Sequence, residues 1–271
     1  MNIMVDGIDY YYEVSGNGEP VILLHGFTGD HSTWNPIKQY LIDSFKVISI
    51  DIIGHGKTSS PPDVRNYRIE QVVSQISGIL DHLSLKKAHI LGYSMGGRLA
   101  LSYAIANPER VKSLVLESAS PGLRTEEERR LRVQADEQLS NKILRDGIEK
   151  FVDYWGNIPL FKTQEKNLNT LDREQIQQQR LANNPTGLAN SLKGMGTGAQ
   201  PSYWEELAIL DMPVLLICGD LDPKFCRISQ EMQLLIQNAD LIEVNEVGHA
   251  IHVEVPKKFG TIVKEFLCKI S

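Results

Sequence analysis

Short apolar, β-branched runs, each followed by a stretch of helical length, constrain this chain more than any other feature. Val21–Leu24 precedes a helical pattern at Pro36–Ser44, and Lys46–Ile50 precedes one at Ile69–Leu83. Ala88–Leu91 leads into Met95–Ala106, and Ser113–Leu116 follows. Runs this short and this apolar are strands buried on both faces, and the intervening helices are the crossovers of a largely parallel sheet. Before the first of them, a period-two alternation around Asp6-Gly7 predicts a hairpin.

From about Ser120 to Leu207 the rhythm stops. Glu126–Arg145 and Asp172–Ala182 read as charged amphipathic helices, and Gly194, Gly196 and Gly198 mark a loop before Trp204. The first pattern then returns: Val214–Cys218 as strand, Ile228–Ile236 as helix, Leu241–Val244 as strand and Phe259–Ile270 as closing helix. Neither half makes a complete sheet alone. The expected organisation is one α/β core from residues 1–118 and 208–271, with residues 119–207 as a helical lid insertion.

With 271 residues, 42% of them hydrophobic, the chain can bury such a core without disulfides or a structural metal. Lys and Arg total 28 against 34 Asp and Glu, a formal charge of -6, which argues against a nucleic-acid surface. Cys218, Cys226 and Cys268 lack metal-ligand spacing and read as reduced thiols, with Cys218 as buried filler. No signal peptide is visible, and no apolar run approaches the roughly 18 residues of a membrane span, so a cytoplasmic protein is expected.

The chemistry-bearing residues cluster after the strands. Gly92-Tyr93-Ser94-Met95-Gly96 fits G-x-S-x-G between a strand and a helix, a sharp turn that exposes the serine hydroxyl at a helix N-terminus. Asp222 follows the strand Val214–Cys218, and His249 in Val247-Gly248-His249 follows Leu241–Val244. Both fall at the C-terminal edge of the sheet, where open α/β sheets place their sites. Ser94, Asp222 and His249 are therefore the candidate triad, with Asp220 the rival acid. His25-Gly26-Phe27 supplies the second half of an oxyanion hole, in which the Phe27 and Met95 amides converge. His25 and His55 read as structural; His31, His82, His89 and His252 carry no assigned role.

Arg98 stands one helical turn beyond Ser94 and shares its face. Such a guanidinium either pairs with a nearby carboxylate such as Glu117 or clamps a carboxylate of the substrate. The insert adds Arg124, Arg129, Arg130, Arg132, Arg145, Arg173 and Arg180, many of them solvated partners of Glu126, Glu127, Glu128 and Glu174, yet a lid over a neutral ester pocket would be expected to look greasier. Trp155 is a candidate aromatic wall, although a tryptophan in the core of the lid is the commoner case.

In their order and context these motifs resemble the α/β-hydrolase superfamily across nearly the whole chain. Three stretches narrow the resemblance to the MenH family of menaquinone biosynthesis: Gly92-Tyr93-Ser94-Met95-Gly96-Gly97-Arg98-Leu99-Ala100-Leu101, Glu117-Ser118-Ala119-Ser120-Pro121-Gly122-Leu123 and Met195-Gly196-Thr197-Gly198-Ala199-Gln200-Pro201. The resemblance implies a mostly parallel sheet flanked by helices, and a lyase that eliminates pyruvate from a cyclohexene tricarboxylate. Ser94, activated by His249, would remove a ring proton, and the oxyanion hole would hold the enolate charge. It further implies Tyr93, Arg98, Arg132, Trp155 and Arg180 as substrate-binding residues. Lys193 stands where the family leads one to expect arginine and receives no role. The expected partner is a small tricarboxylate, with no metal, organic cofactor, nucleic acid or membrane, and the chain is expected to be a monomer or weak homo-oligomer. A carboxylesterase using the same triad as nucleophile is the alternative, and a non-enzymatic binding protein of the same fold is a further one.

Overall fold

In the structure, a computed structural model that describes residues 1–270, the hairpin at Asp6-Gly7 joins β1 (Asn2–Val5) to β2 (Ile8–Ser15). Ile8, Tyr10 and Tyr12 of β2 point inward, the period-two pattern of a strand covered on one face. The other strands are β3 (Glu19–Leu24), β4 (Phe45–Ile50), β5 (Ala88–Tyr93), β6 (Val111–Glu117), β7 (Val214–Gly219) and β8 (Ala239–Val244). They form an eight-stranded sheet in the order β1-β2-β4-β3-β5-β6-β7-β8. The β1–β2 and β2–β4 pairs are antiparallel and every other pair is parallel.

Ten α-helices join these strands: α1 (Asn35–Leu41), α2 (Ile69–His82), α3 (Met95–Ala106), α4 (Glu126–Gly156), α5 (Gln164–Asn167), α6 (Thr170–Leu181), α7 (Pro185–Met195), α8 (Pro223–Leu235), α9 (Ile251–Glu254) and α10 (Pro256–Cys268). On one face of the sheet lies α2, whose Ile69, Val72, Val73, Ile76, Ile79 and Leu80 make a single apolar stripe, together with α3. Phe259, Val263 and Leu267 of α10 and Ile37 and Leu41 of α1 cover the opposite face. The parallel strands thus have both faces buried, as their uninterrupted apolar composition requires.

Four helices lie between β6 and β7. The first, α4, opens with a capping box between Thr125 and Glu128. Its expected end near Arg145 coincides with a kink: Gly147 has φ 81° and ψ 170°, and helix resumes to Gly156. The resumed part carries Phe151, Val152 and Trp155, which pack with Ile143, Leu188 and Leu192 and with Phe27 of the loop after β3.

The structure corrects two sequence expectations. α7 has no counterpart in the sequence reading, and Gly194, assigned there to a loop, lies inside it. The helix is buried on nearly every side, and its Gly187 and Gly194 pack directly on Gly54 and Tyr67. Helical glycines that serve backbone packing look like turn signals in one dimension. α8 likewise starts at Pro223 rather than Ile228, because the Asp222 side chain caps it and Pro223 occupies its first turn.

A Cβ at Gly147 would meet nothing within 4 Å, so its φ of +81° is the only obstacle to a side chain there. Gly147→Ala is expected to cost about 1–3 kcal/mol in denaturant unfolding, the strain of an L-residue in that region. An unchanged midpoint would mean that the kink relaxes freely.

Candidate active site

Ser94 is the single residue between β5 and α3 and takes φ 50°, ψ -106°. Its amide donates to the Glu117 carbonyl at 2.9 Å, and its carbonyl accepts from the Arg98 amide at 2.9 Å. A side chain at Gly96 would run into the Leu24 and His25 carbonyls, so the elbow closes on β3 only with glycine there. The hydroxyl is thereby presented at the C-terminal edge of the sheet, at the first turn of α3.

β7 and β8 deliver the other two groups. Gly219 lies so close to the Val247 and Gly248 carbonyls that no Cβ fits, and the Leu221 amide donates to the Val247 carbonyl at 3.0 Å. The two loops are held backbone to backbone. Asp222 then sits with Oδ2 2.7 Å from His249 Nδ1, while His249 Nε2 lies 3.0 Å from Ser94 Oγ. Asp220 is engaged elsewhere: its Oδ1 accepts from the Val247 amide at 3.3 Å and steadies the histidine loop. Phe27 lines the cavity over Ser94, Met95 follows it directly, and neither amide donates to another backbone carbonyl among the described residues. This arrangement can move a proton from Ser94 to His249 and offer two N–H donors to an oxygen that gains charge.

The remaining histidines bind the protein to itself. His25 Nε2 accepts from the Ile52 amide at 3.0 Å and Nδ1 lies 2.8 Å from the Gly26 carbonyl. His55 Nδ1 faces the Ile53 carbonyl, and burial depresses its pKa to about 3. His252 accompanies Glu117, which accepts from its amide at 3.0 Å and lies 2.8 Å from its Nδ1. His31 pairs with Asp51, and His89 lies between Ser113 and Glu19. His82 is exposed in the last turn of α2.

A cavity of about 210 Å³ opens over Ser94 and His249, with Phe27, Tyr93, Met95 and Trp155 among its walls. Arg98 lines it and is only 9% exposed. Its Nη1 donates to the Met195 carbonyl at 2.8 Å and to Gln200 Oε1 at 3.1 Å. Pairing with Glu117 does not occur, because His252 has taken that carboxylate. Burial, followed by the nearby Arg132 charge, lowers the Arg98 pKa to about 10, opposed by Asp136. Arg132 lines the same cavity and pairs with Asp136 at 2.8 Å one turn along α4. Arg180 lies apart, buried behind Phe161, with its guanidinium 4.8 Å from that ring's centre. It forms no ion pair among the described residues, and burial lowers its pKa. Burial, with the Glu117 charge adding, raises the Tyr93 phenol well above its usual value, so it stays protonated.

Three groups escaped the sequence reading. Phe225 packs its ring 4.6 Å from that of His249, and Phe161 lies 6.4 Å away on another side. Phe225 was within reach of inference, being the third residue of a helix capped by Asp222. Phe161 follows Pro159 in a short turn of the insert and carries no local signal. Gln200, which holds Arg98, lies in a stretch quoted above only for its resemblance.

Asp222→Asn is expected to lower turnover about 10³–10⁴-fold, by leaving His249 in the wrong tautomer. Asp220→Asn, which touches one amide, should cost less than about tenfold; equal losses would reassign the acid. His55 contributes a pH dependence. Its proton binds near 6.5 in an ordinary setting but only near 3 in the fold, so the unfolded chain gains the proton first as pH falls. Stability is therefore expected to decline from about pH 6.5 downward by up to ~1.4 kcal/mol per pH unit for this one site. Urea melts of His55→Asn across that range should show a shallower slope, and an unchanged slope would exclude His55 as the titrating group.

The profile for the alpha/beta hydrolase fold matches residues 19–256. A Bacillus subtilis protein bearing the name of a 2-succinyl-6-hydroxy-2,4-cyclohexadiene-1-carboxylate synthase is 48% identical over 273 residues, covering 100% of this chain and 99% of that protein. The synthase of that name from Klebsiella pneumoniae is 28% identical, over 89% of this chain and 92% of its own. Among solved structures, MenH from S. aureus superposes with a TM-score of 0.91 at 34% identity, over 96% of this chain and 98% of that one. A thermophilic esterase from Thermogutta terrifontis, with malate bound, gives 0.86 at 26% identity, over 99% and 97%. Fold, site geometry and full-length similarity agree: the chain belongs to the alpha/beta hydrolase fold family and, within it, to the 2-succinyl-6-hydroxy-2,4-cyclohexadiene-1-carboxylate synthases.

Proposed function

We propose that the protein is a lyase of menaquinone biosynthesis, converting 2-succinyl-5-enolpyruvyl-6-hydroxy-3-cyclohexene-1-carboxylate to 2-succinyl-6-hydroxy-2,4-cyclohexadiene-1-carboxylate and pyruvate. The observation that carries this reading is Arg98: a buried guanidinium facing the Ser94 cavity, held by neutral acceptors and lacking a carboxylate of its own. A charge of that kind is costly to bury unless an anion completes it. Full-length similarity to synthases of this name supports the same reading.

The two ring systems fix the chemistry. The substrate's double bond lies at ring positions 3 and 4 and its leaving oxygen at 5, whereas the product is a 2,4-diene. The proton must therefore leave position 2, which bears the succinyl carbonyl and is acidified by it. His249 accepts the Ser94 proton and the Ser94 oxygen takes the ring proton, with Asp222 supporting the imidazolium. The Phe27 and Met95 amides hold the enolate oxygen while the double bond shifts and the bond from ring position 5 to the enolpyruvyl oxygen breaks; the departing enolpyruvate takes the proton from His249 and tautomerises to pyruvate. No acyl-enzyme forms. Arg98 and Arg132 bind substrate carboxylates in the cavity, beside Tyr93 and Trp155. Arg180 meets a third carboxylate once the Phe161 ring moves off its face. Residues 119–207 act as the lid over a core of 1–118 and 208–271.

The second reading is an esterase. A hydroxyl 3.0 Å from its base and two available amides would serve acyl transfer equally well. One assay separates them. The substrate is generated in situ from isochorismate and 2-oxoglutarate by the preceding enzyme, and pyruvate release is followed with Ser94→Ala as control. Release above background that Ser94→Ala loses is the lyase result. Arg98→Ala should then lose about 2–4 kcal/mol in kcat/KM. Background release with brisk p-nitrophenyl ester turnover, little affected by Arg98→Ala, would make the protein an esterase.

A further inference from the structure

Outside the reaction cavity, three metal-capable side chains from three elements converge where β7 gives way to α8. Cys218 is the penultimate residue of β7, Glu243 stands beside it in register on β8, and Cys226 lies one turn into α8. One ligand atom from each lies within 4.8 Å of the other two. A tetrahedral ion with bonds of about 2.3 Å to sulfur holds two thiolates roughly 4 Å apart, so small side-chain rotations close this set on one ion.

The burial is graded as an entry path needs. Cys218 is inaccessible, Cys226 is 7% exposed and Glu243 is exposed. Soft ligands thus lie inward, with a hard carboxylate at the mouth. Gln230 Nε2 donates to Glu243 Oε1 at 2.7 Å and orients it. A second cluster, Asp30, His31 and Asp51, is as tight but already saturated. Asp51 accepts from the Lys57 amide and faces His31, while Asp30 accepts from Ser32 and Gln179. That group is a structural network, whereas the cysteine sulfurs make only weak thiol hydrogen bonds, Cys218 with Cys226 and Ser229 and Cys226 with the Gly219 carbonyl.

We propose that Cys218, Cys226 and Glu243 form a site for one soft divalent cation of the zinc and cadmium class, and that filling it disturbs the loop carrying Asp222. On binding, both thiols release their protons to solvent and two metal–sulfur bonds form. The two charges gained by the cation equal the two lost as protons, so the net charge of the site does not change. The coupling follows from what Cys226 holds. Its thiol donates to the Gly219 carbonyl at 3.1 Å and its amide to the Asp222 carbonyl at 3.0 Å. The Asp222 amide also donates to Gly219, at 2.9 Å. A Cys226 drawn toward a metal gives up the thiol donor and pulls the first turn of α8 away from the position in which Asp222 reaches His249.

The test uses the full chain with Cys268→Ser, which removes the exposed third thiol. Metal-free protein is titrated with cadmium chloride while the ultraviolet thiolate-to-cadmium band is read. In parallel, the rate of Ser94 labelling by a fluorophosphonate is measured, a readout that does not depend on the lyase reading. The expected result is a band saturating at one cadmium per chain, with labelling slowed about tenfold or more and restored by EDTA. Cys226→Ser keeps a hydroxyl donor to Gly219, so its labelling without metal should match the parent, and both metal effects should vanish. Glu243→Gln, a surface change, should weaken cadmium binding about tenfold or more. Absence of the band at one equivalent, or an equal band in Cys226→Ser, overturns the site. A full band with unchanged labelling overturns its coupling to the Asp222 loop.

Discussion

Ser94 occupies φ +50°, a conformation that strains a non-glycine residue, and separate contacts hold it there. Its amide is fixed to Glu117 at the end of β6, its carbonyl to the first turn of α3, and the turn presses on β3 through Gly96. One strained residue thus draws three neighbouring strands into register at the sheet edge. The Glu117 side chain continues the same line: it takes the His252 amide and ring, and so positions the segment just after His249. The base and the hydroxyl are aligned by strand ends and loop contacts that belong to the fold, and the cost of the strained turn is met by the sheet.

Positive charge gathers around this cavity. Each cation near it is held differently. Arg98 is anchored by a carbonyl and an amide oxygen and has no carboxylate in direct contact. Arg132 is paired with Asp136, and Arg180 rests against an aromatic face. A guanidinium bound by neutral acceptors is oriented without being discharged, which readies it for an anion. The cavity floor has the serine–histidine–aspartate geometry of a serine hydrolase, and its walls include Arg98 and Arg132.

The order of the site residues was legible because each lies just after a short apolar run, and the regular alternation of those runs with helical patterns marks them as strands. The preference for Asp222 over Asp220 was legible for a related reason. Asp220 is adjacent to the strand end and its carboxylate reaches back to the neighbouring loop, whereas two residues further on the chain has turned toward His249. The insert was read less well. α7 is built on glycines that pack against Gly54 and Tyr67, and no periodicity announces a helix defined by what surrounds it. The partner of Arg98 could not be decided from spacing: Glu117 pairs with His252, 135 residues on, and Arg98 finds Met195 and Gln200 about a hundred residues away.

By itself the sequence determined the parallel sheet, the nucleophile elbow and the order Ser94, Asp222, His249, because these depend on local periodicity and on residues that follow strands directly. Only the tertiary structure decided that Arg98 faces the cavity on neutral acceptors, that Phe161 lies against Arg180, and that Cys218, Cys226 and Glu243 meet. Those outcomes are set by packing between segments distant in the chain, where a side chain's partner is whichever group the fold brings within a few ångströms, and no local pattern encodes that choice.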